Sequence, residues 1–273
     1  MLFRSALTNL GNLLQYESIK DIEIDNESGN IYAISYPQVH FIIYNPENNS
    51  LRDLGRIGSS HVPRVIFTDK WYNCYYVDWR QRLVMYDKSA GSLLFDEESL
   101  PAFPGTPGSK IITGITAYAK DHDSNTIYLI TYGAKIIAFH PQESGIGRKE
   151  DLGGVLPEDL TINLWDPYCP NLAMGNNGKL YYVVGGHGNF SNDHKTLFME
   201  FDPLSKTHRT LFEFETKVIA EVTGSDVKDR NGNIYFAGRK EVPESLTRTV
   251  GEGETRGTVS KPFMIIFNPE KEF

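Results

Sequence analysis

The chain has 273 residues, of which 40% are hydrophobic and 12% aromatic, enough for a substantial apolar core. Its net charge of −8, with no run rich in Lys or Arg, argues against a nucleic-acid binder, which needs a basic face. No stretch approaches the ~20 apolar residues of a membrane span, and the first residues lack the apolar run of a signal peptide. The two cysteines, Cys74 and Cys169, are too far apart in sequence for a zinc motif or a disulfide framework.

A repeat runs along the chain. Five short apolar stretches end in similar text: SGNIYAI, WYNCYYV, SNTIYLI, NGKLYYV and NGNIYFA. A polar turn precedes each stretch, and a second strand that ends in an aromatic residue follows, as in HFIIYNP and FMIIFNP. The spacings of 43, 53, 53 and 54 residues separate the repeated tyrosines Tyr32, Tyr75, Tyr128, Tyr181 and Tyr235.

Units of this length, with four short strands and turns rich in Asp, Asn and Gly, predict an all-β propeller. We expect one domain, residues 1–273, with five four-stranded blades. The last blade lacks its fourth strand, and we predict that the N-terminal segment Leu7–Leu13 supplies it and closes the ring. Part of a seven-bladed propeller would show the same pattern, and a β-sandwich is the alternative that lacks a fixed period.

The longest connections fall on one face of such a propeller. They link strands b and c within blades or strand d to the next strand a, and we call their surface the loop-rich face. Long loops gathered on one face are typical of a binding site. Polar and aromatic candidates on this face come from several blades: Tyr36, His40, His61, Arg64, Trp79, Arg80, Tyr132, His187, Asn189 and Arg239.

Other polar residues have a structural interpretation. The repeated tyrosines occur in every unit, so we assign them to the core. His122 and His140 fall in turns on the opposite face, and the Asp121–Asp123 turn is more readily an ordinary turn than a cation site. No HxH or HxxxH pair, glycine-rich phosphate loop or serine elbow is present. The sequence therefore predicts no metal and no organic cofactor.

The blade text GNIYAISYPQVHFIIYNPENNSLRDLG resembles the repeats of gluconolactonase-type and polysaccharide-lyase propellers, in particular ulvan-lyase-like enzymes. The resemblance implies β-elimination on uronate-containing polysaccharides. It also implies catalytic roles for His40 and His61, which are 21 residues apart, for Tyr132, and for Arg80 or Arg64. Arg148 has a plausible spacing from Tyr132 but falls near a turn at the opposite end.

In that reaction an arginine would neutralise the uronate carboxylate, so that the adjacent proton can be removed by His or by an ionised tyrosine. Tyr132 would need a lowered pKa to act as that base. Substrate contacts would come from Tyr36, Trp79, His187, Asn189 and Arg239, because aromatic faces suit sugar rings and Arg suits a carboxylate.

Two alternatives remain. A non-catalytic propeller could bind a glycan or a protein on the loop-rich face. A metal-dependent hydrolase of the gluconolactonase type would need inward acidic ligands, for which Glu23 and Asp226 form no clear set. The expected partner is an acidic polysaccharide or oligosaccharide, and we expect a monomer that contacts neither nucleic acid nor membrane. The lyase interpretation would place the protein outside the cytoplasm, which the sequence leaves open.

Overall fold

The computed structural model describes residues 14–58, 62–101, 114–158, 160, 168–185, 196–214, 218–225, 227–241 and 260–271. Within these ranges every regular element is a β-strand. The strands are β1 Ser18–Ile24, β2 Ile31–Tyr36, β3 His40–Asn45, β4 Ser50–Arg56, β5 Phe67–Thr68, β6 Cys74–Val77, β7 Arg82–Asp87, β8 Ser92–Ser99, β9 Ile115–Asp121, β10 Thr126–Thr131, β11 Lys135–His140, β12 Arg148–Gly154, β13 Ala173–Met174, β14 Leu180–Val184, β15 Leu197–Asp202, β16 Thr207–Glu213, β17 Val218–Gly224, β18 Ile234–Glu241 and β19 Ser260–Phe267.

The strands form five antiparallel sheets, each built from consecutive strands. Four sheets have four strands, β1–β4, β5–β8, β9–β12 and β13–β16, and the fifth contains β17–β19. The sheets lie in a ring, the arrangement of a five-bladed β-propeller, which confirms the predicted fold class. In the described part of the chain, no helix has the length and apolar character needed to cross a bilayer.

In blades 1, 2, 3 and 5 the turn between the first two strands is capped by one aspartate. In blade 2 the Asp69 carboxylate accepts hydrogen bonds from the backbone N–H of Trp71 and Asn73 and from the Tyr75 hydroxyl, at 2.9, 3.0 and 2.9 Å. Asp229 of blade 5 repeats the arrangement with Tyr235 at 2.8 Å. The shared Asp-x-x-x-Asn-x-Tyr text is therefore structural, as expected for the repeated tyrosines.

The five repeated tyrosines differ in burial. Tyr32, Tyr75 and Tyr181 are at most 1% exposed, whereas Tyr128 and Tyr235 are half-buried. The Asp121 turn uses its carboxylate in the same capping role, accepting from the backbone N–H of Asp123 at 3.0 Å. These contacts support the structural interpretation of this turn.

The Leu-Gly endings seen in RDLG and EDLG are bulges in the outermost strands. Gly55 and Gly153 adopt φ values of 90° and 110°, which favour glycine. In the first case the Asp53 carboxylate accepts the Gly55 N–H at 2.7 Å, and the pairing of β3 with β4 shifts register between His40 and Ile42. The extra residue bends the outer strand at its loop-rich end.

Neighbouring blades pack face to face through apolar clusters. Each fully buried aromatic side chain in such a cluster contributes about 1.5–3 kcal/mol relative to an exposed one. Aliphatic side chains, including Ile136 and Val184, fill the junction of blades 3 and 4. Ring pairs at the other junctions have centroid separations of 5.9 Å for Phe41–Tyr76, 5.1 Å for Tyr75–Phe139 and 5.3 Å for Phe198–Phe236.

The fifth blade is the least complete within the described ranges. Its third strand, β19, pairs only with β18 there, and the predicted fourth strand Leu7–Leu13 lies in residues 1–13, outside the described residues. One face of this blade packs on blade 4 through Ile234 and Phe236. On the other face the side chains of Met264 and Ile266 are 64% and 63% exposed. Closure by the N-terminal segment therefore stays a prediction.

Candidate functional site

Arg64 is the centre of a cluster on the loop-rich face. Its guanidinium carbon lies 5.0 Å from the Tyr132 ring centroid and 5.9 Å from that of Tyr168. Nη1 of Arg64 donates a hydrogen bond of 2.6 Å to the Tyr168 hydroxyl. The two tyrosine rings lie 6.0 Å apart and are at most 8% exposed. The arginine is thus held between two nearly buried phenols.

Local structure fixes all three side chains. Arg64 lies in the connection to blade 2, which is anchored where the Ile66 N–H donates to the Asp21 carboxylate at 2.8 Å. Tyr132 sits in the tight hairpin between β10 and β11, and its N–H donates to the Gly114 carbonyl at 3.1 Å. Tyr168 forms an isolated antiparallel bridge with Gly185 at the end of blade 4.

Blade 1 adds a second cation and a third ring. Nζ of Lys20, on the innermost strand, donates to the Pro63 carbonyl at 2.9 Å, directly before Arg64. The same nitrogen lies 5.8 Å from the centroid of the Tyr36 ring, which is 41% exposed. We call Lys20, Tyr36, Arg64, Tyr132 and Tyr168 the Arg64 cluster. It draws on blade 1, the b–c hairpin of blade 3, and the connections that enter blades 2 and 4.

The guanidinium of Arg64 is under-satisfied. Nε is buried and has no hydrogen-bond partner among the described residues, and no described carboxylate forms an ion pair with Arg64. A half-buried cation without a counter-charge is costly unless an anion or solvent compensates it. The arrangement therefore favours an anionic ligand that reaches Arg64.

Burial shifts the pKa of several groups in and beside the cluster. Burial, followed by the positive charge of Arg64, lowers the pKa of Lys20 to about 8. Burial raises the pKa of Asp21 to about 6, although the hydrogen bond from Ile66 acts in the opposite direction. Both groups therefore change charge near neutral pH.

Tyr132 is shifted away from the state that a catalytic base would need. Burial raises the pKa of its phenol, and this outweighs the lowering effect of Arg64. In this state of the protein the phenol holds its proton at neutral pH. It can donate a proton to an oxygen atom, but it is not poised to remove one.

A second polar group lies further along the inner strands. The Glu23 carboxylate accepts hydrogen bonds from the Tyr118 hydroxyl of blade 3 and, at 2.8 Å, from the Thr68 hydroxyl of blade 2. Lys120 Nζ lies 3.2 Å from the same carboxylate. Glu23 thus joins three blades, and its charge is paired. Among the described residues, no group of three acidic, His or Cys side chains is arranged to hold a metal ion.

His40 lies outside the Arg64 cluster. Its Nδ1 is 2.9 Å from the Asp53 carboxylate, on the neighbouring outer strand of its own blade. Its backbone N–H donates to the Ser35 hydroxyl at 2.9 Å. The Asp53 contact holds Nδ1 of the imidazole at the bulge between β3 and β4, and no described contact with Arg64 or Tyr132 supports the predicted catalytic role.

Trp79 and Arg80 lie at the tip of the b–c hairpin in blade 2. The Arg80 guanidinium carbon stacks 4.7 Å from the Trp79 ring centroid. Both side chains are exposed, Trp79 by 60%. The pair is exposed at the rim of the loop-rich face and is not part of the Arg64 cluster, and its predicted contact with a ligand stays a prediction.

The remaining predicted residues add little to the geometry. Arg239 is exposed near the end of β18. His61, His187 and Asn189 lie outside the described residues, as does Asp226. Lys20 and Tyr168 were missed by the sequence interpretation. The sequence feature that could have identified Tyr168 is its position near the end of the long connection GVLPEDLTINLWDPYCPNLAM. Lys20 lies in an inner strand that carries no distinctive motif.

A groove of about 610 Å³ lies between the outer strands of blades 2 and 3. Its basic wall is already paired, since Lys149 Nζ lies 2.6 Å from the Asp96 carboxylate and both side chains are 13% exposed. The groove has no unpaired buried charge in the described residues to attract a ligand, unlike the Arg64 cluster.

Comparison with known proteins shows the fold alone. No protein-family model matches the chain, and no curated protein matches it. Kuenenia stuttgartiensis hydrazine synthase is 12% identical with a TM-score of 0.58, covering 99% of this chain and 67% of that one. The GH74 xyloglucanase of Xanthomonas campestris is 11% identical with a TM-score of 0.56, covering 84% and 36%.

A third solved structure is the extracellular domain of a putative hybrid two component system from B. thetaiotaomicron. It is 11% identical with a TM-score of 0.53, and the match covers 80% of this chain and 25% of that chain. The chain therefore spans between a quarter and two thirds of these three proteins. These similarities support a β-propeller, whereas the resemblance to ulvan-lyase-like enzymes or gluconolactonases stays a prediction.

Proposed function

We propose that the protein binds a carboxylate-bearing saccharide at the Arg64 cluster. The observation that carries the proposal is the half-buried Arg64 guanidinium, whose Nε has no partner and which has no carboxylate counter-charge among the described residues. A guanidinium presents parallel N–H donors that match the two oxygens of a carboxylate. A uronate would supply that carboxylate.

The rest of the cluster fits a sugar ring. Tyr36 offers an exposed aromatic face next to Lys20, and Tyr132 and Tyr168 offer hydroxyls beside Arg64. Aromatic faces combine apolar contact area with a polar edge, so they suit the C–H face and hydroxyls of a saccharide. The exposed Trp79–Arg80 pair would contact more distant units of a longer chain.

The direct test is calorimetric titration with uronate oligosaccharides and with the same oligosaccharides after reduction of the carboxyl groups to alcohols. We expect binding of the acidic forms and at least a tenfold weaker interaction with the reduced forms, because only the carboxylate engages Arg64. Equal affinity for both forms, or no binding across the panel, would contradict the proposal.

β-Elimination on uronate polymers is a second candidate. The observation that favours it is the contact of Arg64 with Tyr132: a cation that can neutralise the substrate carboxylate lies beside a phenol that can protonate the departing oxygen. The raised pKa of Tyr132 assigns it the role of acid. Removal of the α-proton would need a separate base.

This second candidate has its own measurement. An unsaturated uronate absorbs in the ultraviolet, so incubation with uronate polysaccharides followed by spectroscopy detects the reaction. We expect any such activity to be lost in Tyr132→Phe, which keeps the ring and removes the hydroxyl. Saccharide binding without new absorbance would leave the binding proposal standing and exclude elimination on those substrates.

A further inference from the structure

Lys20 has surroundings that are typical of a nucleophilic amine. Its Nζ is half-buried, is held 2.9 Å from the Pro63 carbonyl oxygen and faces the Tyr36 ring. Arg64 follows Pro63 directly in the chain, and its positive charge acts on the same amine. Partial desolvation together with a neighbouring positive charge is a recognised way to keep a lysine amine reactive near neutral pH.

We propose that Lys20 forms an imine with an α-oxo acid whose carboxylate is bound by Arg64. An α-oxo acid carries its carbonyl next to its carboxylate, which matches an amine next to a guanidinium. This inference rests on the carboxylate site proposed above and adds covalent chemistry to it. The lowered pKa of Lys20, caused by burial and by Arg64, supports it.

The reaction balances without a cofactor. The neutral Nζ lone pair attacks the carbonyl carbon, and the carbonyl oxygen takes up a proton to give a carbinolamine. The proton on that oxygen comes from one N–H bond, and the second N–H proton leaves with the hydroxyl as water, which leaves a C=N bond. No electron acceptor or donor takes part, so the step is reversible.

The charged groups that act on Lys20 define the pH range in which its amine is neutral. On β1 this group is Asp21, and from the connection to blade 2 it is Arg64. Asp21 favours the protonated amine, and Arg64 opposes it. Glu23 is paired with Lys120. The adduct should therefore form increasingly fast as pH rises towards about 8.

Reductive trapping tests the inference. The protein is incubated with glyoxylate and cyanoborohydride at pH 7, and carboxymethylated lysines are located by peptide mass spectrometry. Lys120, a half-buried lysine on the inner strand β9 that is paired with Glu23, is the internal reference. We expect Lys20 to be labelled about tenfold faster than Lys120, because burial and Arg64 lower the pKa of Lys20, whereas the Lys120 amine is held in an ion pair with Glu23.

Variants separate the two parts of the proposal. Arg64→Gln should slow glyoxylate labelling of Lys20 several-fold more than it slows labelling by formaldehyde, which has no carboxylate and reports only the smaller neutral fraction of the amine once the Arg64 charge is removed. Lys20→Arg should lose the adduct and keep the charge. Circular dichroism and denaturation midpoints confirm that each variant is folded.

Three outcomes would overturn the inference: equal labelling of Lys20 and Lys120, a glyoxylate reaction that ignores Arg64→Gln, or an adduct that persists in Lys20→Arg. Titration of the wild type with uronate oligosaccharides distinguishes the failures. Binding without selective trapping contradicts only the imine. Absence of both contradicts the carboxylate site itself.

Discussion

Two arginines on the loop-rich face stack on aromatic rings but differ in depth. Arg80 lies on the exposed Trp79 at a hairpin tip, whereas Arg64 is half-buried between Tyr132 and Tyr168. Water can solvate the first guanidinium fully, so a ligand gains little by replacing that water. The second guanidinium is partly desolvated in advance, so an anion gains more there. Burial, and not the arginine–aromatic contact itself, distinguishes a binding centre from a rim.

The largest expected effect is on ligand affinity. Arg64→Ala should weaken binding of a uronate oligosaccharide about 100-fold, because it removes a charged donor pair from a partly desolvated site. Calorimetric titration measures the dissociation constants. Arg80→Ala is the matched control, and an equal loss in both variants would remove the distinction between the two arginines.

The second effect is on the pH dependence of binding. Because the pKa of Lys20 is about 8, raising the pH from 7 to about 9.5 should neutralise this cation and weaken binding about three- to tenfold. Titrations in a pH series would measure it. Lys20→Arg keeps its charge and should flatten the profile over this range, whereas an unchanged profile would show that Lys20 does not contribute.

The third effect is on stability beside the Arg64 cluster. The pKa of Asp21 is raised from 3.8 to about 6 by folding, so its contribution to stability is fully present below pH 3.8 and is lost as pH rises through 6. Asp21→Asn keeps an acceptor for the Ile66 N–H and removes the charge. We expect it to increase the free energy of unfolding at pH 8 by about 1 kcal/mol.

Urea denaturation at pH 4.5 and pH 8 measures this difference. Glu97→Gln, which alters an exposed carboxylate on β8, is the control and should change stability by less than about 0.5 kcal/mol at either pH. A loss of stability for Asp21→Asn at pH 8 would show that the charge of Asp21 is favourable in the folded protein.

The smallest effect is expected at the rim. Trp79→Ala exposes little new surface, because the indole is already 60% exposed. It should change the free energy of unfolding by less than about 0.5 kcal/mol and the affinity for a short saccharide less than about threefold. A tenfold loss of affinity would show that the centre of the binding site lies closer to blade 2 than we propose.

The sequence was sufficient to predict the blades, but it did not predict how deeply each residue of the candidate site is buried. Asp69 and Tyr75 recur as text because the same turn recurs, so a periodic signal revealed the strands. The same reasoning located Arg64 and Tyr132 on one face. Whether two loop residues are in contact depends on how closely each connection approaches the propeller axis, and a periodic sequence pattern carries no information on that distance.

His40 shows the same limit from the other side. Its place at the start of a third strand was read correctly, but the register shift that sets it beside Asp53 depends on the bulge at Gly55. Lys20 was overlooked because an inner strand with one lysine looks like any solvated strand. Its proximity to Pro63 arises only when blades 1 and 2 pack.

The Glu23 carboxylate has a consequence for how the molecule assembles. It bonds to Tyr118 and Lys120, which lie 95 and 97 positions further along the chain. Contacts between such distant segments carry a loop-closure cost that local hairpins avoid. This junction should therefore form late in folding, after the individual hairpins, and a change at Glu23 should accelerate unfolding more than it slows folding.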